Sequence, residues 1–115
     1  MEPSFRSITP MIPAGGSLEE AIRFYRDELG FAVTWEGGNM AGIERGGVGF
    51  NLVVNTNDEW ARNASFSIAV DGLDALYREY AGASARVGPL EEKPWGRREF
   101  HMLVPSGVCL QFYQG

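Results

Sequence analysis

The chain has 115 residues, of which 44% are hydrophobic, 12% aromatic and 22% charged, the length and composition of one folded domain rather than a disordered segment. Ten Lys and Arg stand against fifteen Asp and Glu, a formal charge of -5, so the basic stripe with which nucleic-acid binders displace counterions is missing, and small cations are the favoured solutes. The lone Cys109 excludes an intramolecular disulfide and a cysteine-based zinc site. No apolar run nears the roughly 20 residues of a membrane helix. The first residues, Met1-Glu2-Pro3-Ser4-Phe5-Arg6, lack the basic-then-apolar pattern of a secretion signal. The expectation is a cytoplasmic protein with no membrane or nucleic-acid partner.

Along the chain, Phe5 to Ile12 reads as a short extended segment that Pro10 and Pro13 confine to an edge. After the turn Ala14-Gly15-Gly16, Ser17 offers an N-cap and Glu20 completes a capping box. Leu18, Ala21, Ile22, Tyr25 and Leu29 then recur at helical spacing, and Gly30 suits the residue after the helix end. Phe31 to Glu36, Met40 to Glu44 and Val48 to Val54 read as strands separated by Gly-rich turns. Asn55 to Asn63 is a polar connection, apart from Trp60. The pattern then restarts: a strand from Phe66 to Val70, and Asp71 as cap of a helix carrying Leu73, Leu76, Tyr77 and Tyr80. Val87 to Trp95 is interrupted by Pro and Gly. Arg98 to Val104 and Val108 to Tyr113 are strands joined by Pro105-Ser106-Gly107.

The order β-α-β-β-β is thus stated twice, and the residues echo it. Phe24-Tyr25-Arg26-Asp27-Glu28-Leu29-Gly30 lies over Leu76-Tyr77-Arg78-Glu79-Tyr80-Ala81-Gly82, and Gly49-Phe50-Asn51-Leu52 over Cys109-Leu110-Gln111-Phe112. The reading is a single α+β domain of two βαβββ modules, about residues 1–57 and 63–115, forming a curved eight-stranded mixed sheet with one helix packed behind each half. Alternation splits the strands into two faces. One is wholly apolar, with Phe50, Leu52, Phe66, Ile68, Phe100, Met102, Leu110 and Phe112. The other is mixed, with Asn51, Ser65, Ser67, Ala69, Glu99, His101, Leu103, Gln111 and Tyr113. A curved sheet with one oily and one mixed face makes a cup; the same face could equally lie in solvent or at a dimer contact.

Two stretches carry a family resemblance: Phe24-Tyr25-Arg26-Asp27-Glu28-Leu29-Gly30-Phe31, and Trp95-Gly96-Arg97-Arg98-Glu99-Phe100 followed by Pro105-Ser106-Gly107 and Phe112. With both, the chain resembles the vicinal-oxygen-chelate superfamily of glyoxalase I, extradiol dioxygenases and bleomycin-resistance proteins, and most of all the bleomycin-resistance branch, which shares a proline in strand one, here Pro10. In metal-dependent members, four His, Glu or Gln ligands face the cup. The resemblance puts Thr9 (or Pro10), Asn51, Ser65 and Gln111 at those positions, and neutral donors of this kind hold catalytic divalent ions poorly. No metal or other cofactor is therefore expected, and no catalytic residue is assigned.

What the resemblance implies is a binder: a homodimer sequestering a small molecule, cationic and planar, in a cleft at the subunit contact. Asn51, Ser65, Ser67, Glu99, His101, Gln111 and Tyr113 would give polar contacts, and Trp35, Trp60 and Trp95 stacking surface. The alternative is a glyoxalase-like lyase or dioxygenase with a degenerate metal site around Glu99, His101 and Gln111. Lone histidines more often hydrogen-bond a wall than catalyse, and Cys109 reads as a small filler.

Overall fold

Gly-rich turns and β-branched or aromatic runs divide the chain into nine strands, seen in the computed structural model, which describes residues 1–115. They are β1 (Met11–Pro13), β2 (Ala32–Gly37), β3 (Met40–Arg45), β4 (Val48–Val53), β5 (Ser65–Ala69), β6 (Arg86–Val87), β7 (Glu91–Glu92), β8 (Arg98–Leu103) and β9 (Cys109–Gln114). Three helices join them: α1 (Leu18–Arg23), which widens into a π-helical turn over Phe24–Glu28, α2 (Asp58–Asn63) and α3 (Leu73–Tyr80).

The α+β class and the repeated order hold, with one correction to the sheet. The strands form two sheets rather than one of eight strands: β1-β4-β3-β2, and β5-β9-β8-β6 with β7 added on β8. Each follows one plan, in which the first strand pairs parallel to the last and the others pair antiparallel. The edge strands β1 and β5 do not pair with each other. Pro10 and Pro13 lack the N–H groups that a longer β1 ladder needs, so the sheets meet through side chains. The extended segment expected from Phe5 shrinks to Met11–Pro13, and residues 1–9 are exposed and outside any element.

Local chemistry accounts for the helix ends. The Glu20 N–H donates to Ser17 Oγ at 3.1 Å, capping α1, and Gly30 takes φ 78° past its end. Two expectations change. The polar connection contains α2, because Asn57 Oδ1 accepts the Trp60 N–H at 3.1 Å and Asp58 and Glu59 fill the first turn. Asp71 does not cap α3: Gly72 is its N-cap, and the Leu73 N–H donates instead to Gln114 Oε1 at 3.0 Å.

Both apolar faces close over one core of 23 buried residues. α1 packs on β3 and β4, and α3 on β9. Phe100 stacks on Phe112, and Phe50 meets Phe66 edge-on across the seam between the sheets. Arg45 ties the halves together, donating to Glu79, to Leu29 O at 2.8 Å and to the Tyr80 hydroxyl at 3.0 Å. With the core faces settled, the opposite faces are free to carry function.

Candidate functional site

With Ile68, Phe100, Met102, Leu110 and Phe112 committed to the core, the period of two turns Ser65, Ser67, Glu99, His101, Gln111 and Tyr113 to the other side. Register then makes rows of them: Ser67, Gln111 and His101 stand side by side on β5, β9 and β8, and Ala69, Tyr113 and Glu99 form the next row. Ser67 Oγ donates to Gln111 Oε1 at 3.1 Å, and Gln111 Nε2 donates to Ser65 Oγ at 2.8 Å. Both ends of the Gln111 amide are thereby engaged.

Glu99 is 3% exposed, the one charged side chain among the buried residues. His101 Nε2 donates to its Oε2 at 2.5 Å and Arg97 Nε to its Oε1 at 3.2 Å. The His101 hydrogen bond, seconded by Arg97, holds the carboxyl below the usual glutamate range against the opposing effect of burial. The Arg97 guanidinium also lies over the Tyr113 ring, 4.0 Å from its centre. This carboxylate is a fixed strut between a histidine and an arginine.

In the first sheet, the corresponding row is Met11, Asn51, Gly42 and Trp35. A bulge between Val33 and Trp35 in β2 makes Thr34 the extra residue, and Trp35 remains 43% exposed. Thr9, Thr34, Trp35 and Asn51 border a hollow of about 280 Å³ on this sheet. Trp95 is 68% exposed on the loop between β7 and β8.

The residues expected at the site therefore fall into groups. Ser65, Ser67, Glu99, His101, Gln111 and Tyr113 lie together on the second sheet, and Trp35 and Asn51 on the first. Trp95 stands apart on its loop. Trp60 is turned elsewhere, half-buried in α2 against the core. Arg97, which the residue pattern did not single out, is a participant as well. A further one is Gly42, a glycine inside a strand, which is itself a signal of close approach.

The positions matching the family's metal ligands do not fit a divalent cation. Gln111 and Ser65 are hydrogen-bonded to each other, Asn51 is a neutral amide, and no three His, Cys, Asp or Glu side chains gather at one point. Neutral amides and hydroxyls suit an uncharged polar wall.

The profile of the glyoxalase/bleomycin resistance protein/dioxygenase superfamily matches residues 12–112. The chain belongs to this superfamily. Within it, relatives lie in the bleomycin-resistance branch. A bleomycin resistance protein of Geobacillus stearothermophilus is 25% identical, the match covering 91% of this chain and 93% of that protein. The bleomycin-binding protein of bleomycin-producing Streptomyces verticillus, solved with copper(II)-bleomycin, superposes with a TM-score of 0.87 at 28% identity over 99% of both chains. A bleomycin resistance determinant encoded on transposon Tn5 has the same fold, with a TM-score of 0.84 at 22% identity over 96% of this chain and 98% of that one.

Proposed function

We propose that this member of the superfamily is a metal-free small-molecule binder of the bleomycin-resistance type, which sequesters its ligand without making or breaking a bond. One observation carries the reading. On the second sheet the polar side chains Ser65, Ser67, Glu99, His101 and Gln111 are hydrogen-bonded among themselves or to Arg97, and the Glu44 carboxylate beside the first sheet's hollow and the Cys109 thiol have no two further ligands gathered with them, so the faces offer hydrogen bonds and shape but no metal site. The likeness to the bleomycin-binding protein supports it, and so does the charge of -5, which draws in a cationic ligand. Trp35 gives a planar group a surface to stack on.

The exposed arm supports a homodimer with its cleft at the contact. Phe5 is fully exposed, Ile8 is 87% exposed, and Met11 and Leu103 stand out on the two sheets. Apolar groups of this kind on a lone subunit mark a surface that a second copy covers. In this reading the site faces of two subunits meet, and residues 1–9 cross to the partner. Light scattering on the whole chain and on a variant lacking residues 2–9 should give a dimer and a monomer; a monomeric whole chain refutes this part.

Binding itself is tested by titrating bleomycin into the protein. Tryptophan emission should be quenched and saturate near one ligand per subunit; no quenching at micromolar ligand refutes the sequestration reading. For the alternative of a lyase or dioxygenase, stoichiometric nickel, zinc, iron or manganese in protein purified without chelator would be required. The engagement of Gln111 and Glu99 by their neighbours weighs against that outcome.

A further inference from the structure

Glycine in the middle of a strand weakens it, and Gly42 lies in the middle of β3. The usual reason for a glycine is absent, because Gly42 is not among the glycines with positive φ. Nor does the core require it: Ala41 and Ile43 on either side fill the core face, so a side chain at 42 would point to the site face. That position is in use elsewhere. Asn51 of β4 stands between Met11 and Gly42 as Gln111 of β9 stands between Ser67 and His101. Gly42 thus holds the place in the first sheet that His101 holds in the second.

What fills this place is an indole from the neighbouring strand. The bulge in β2 sets both Thr34 and Trp35 against Gly42. A Cβ on residue 42 would overlap Nε1 of Trp35 and stand 2.5 Å from its Cδ1 and 2.6 Å from Thr34 Oγ1. At the other end of the ring, Cζ3 is 3.8 Å from where a Gly37 Cβ would be. The indole lies along the sheet, its pyrrole edge over one glycine and its six-membered ring beside another. Held down in this way, Trp35 still keeps 43% of its surface exposed and borders the hollow that Thr9 and Asn51 share.

We propose that Gly42 is a positioning residue for ligand recognition: its missing side chain lets the Trp35 indole lie down as a flat shelf, and the shelf takes a planar ring system of the ligand. The role rests on the binding reading above but makes a claim of its own, since the shelf is a property of the unliganded protein. A methyl group at 42 tips the indole up and fills its resting place, so stacking geometry is lost while the core is untouched.

The test uses the whole chain labelled with fluorotryptophan, which gives one fluorine resonance for each of its three tryptophans, that of Trp35 being assigned with Trp35→Phe. Gly42→Ala should keep its β circular dichroism, move the Trp35 resonance alone, and weaken bleomycin binding about tenfold, the scale of a lost aromatic contact. Trp35→Ala should weaken it by the same factor, and the double variant no further. Should Gly42→Ala not fold, the double variant placed in a Thr34→Ala background, freed of both the indole and the Thr34 hydroxyl, should regain the fold. A Trp35 resonance unmoved in folded Gly42→Ala overturns the proposal, as does bleomycin affinity that Trp35→Ala lowers and Gly42→Ala leaves intact. In that Thr34→Ala background, a double variant that stays unfolded where Trp35→Ala folds also overturns it. Failure of the unmodified protein to bind bleomycin defeats the functional reading instead, and the fluorine spectrum then still decides whether Gly42 holds the indole.

Discussion

Replacing Glu99 by glutamine removes a charge from the second sheet without changing its shape. The carboxylate accepts from His101 and Arg97, and a charge-assisted hydrogen bond of this kind contributes about 1.5–3 kcal/mol. Glutamine can still accept from Arg97 through its oxygen, more weakly, but its amide group meets the imidazole N–H with a donor. Because the His101 side chain is partly exposed, water takes over some of what is lost, which favours the lower end of the range. The expected cost of Glu99→Gln at pH 7 is about 2 kcal/mol, or about 8 °C in melting temperature for a domain of this length. The pH dependence fixes the cause. The folded-state carboxyl lies below its ordinary value, so its contribution is complete above the unfolded carboxyl value of about 4.3 and is lost as pH falls through the folded value. Urea denaturation of both proteins at a series of pH values should show a gap that is full at pH 7 and closes in acid. An equal gap at pH 3 and pH 7, or none at pH 7, refutes this account of Glu99.

Three other outcomes are expected. The Tyr25 hydroxyl is buried with no hydrogen-bond partner, and burial raises its pKa far above the ordinary tyrosine value; Tyr25→Phe should raise stability in urea denaturation by about 1 kcal/mol. Arg45→Met removes the guanidinium that joins Leu29 O, Glu79 and Tyr80, and should cost about 1–2 kcal/mol, with part of the loss disappearing at high salt in the same assay. Leu110 is wholly buried at the centre of the second sheet, so Leu110→Ala should cost about 3 kcal/mol in thermal denaturation by leaving a cavity, and a cost under about 1 kcal/mol would mean that the site has collapsed.

Strand alternation and the ends of α1 are written in short stretches of sequence, and so they were legible, whereas the Asp71 cap expected for α3 gave way to Gly72. The faces of β8 and β9 follow from period two, and with them the placing of His101 opposite Gln111 across the Pro105-Ser106-Gly107 turn. The Ser17 cap and the terminating Gly30 are equally local. The capping signal of α2 was also present, in Asn57 followed by Asp58 and Glu59, but its polarity resembled that of a loop. Because α2 is a helix, Trp60 packs inward and not toward the site.

What the amino-acid order determined alone was which side chains share a face, since that depends only on the pleat of a strand and the pitch of a helix. Which faces meet depends on pairing between distant strands, and that was decided in three dimensions. Only tertiary structure divided the sheet in two at the proline-bounded β1, brought Arg97 over the Tyr113 ring, and laid Trp35 over Gly42. These contacts arise from the register of neighbouring strands and a one-residue bulge, and a slip of a single residue would turn every side chain of a strand to the opposite face.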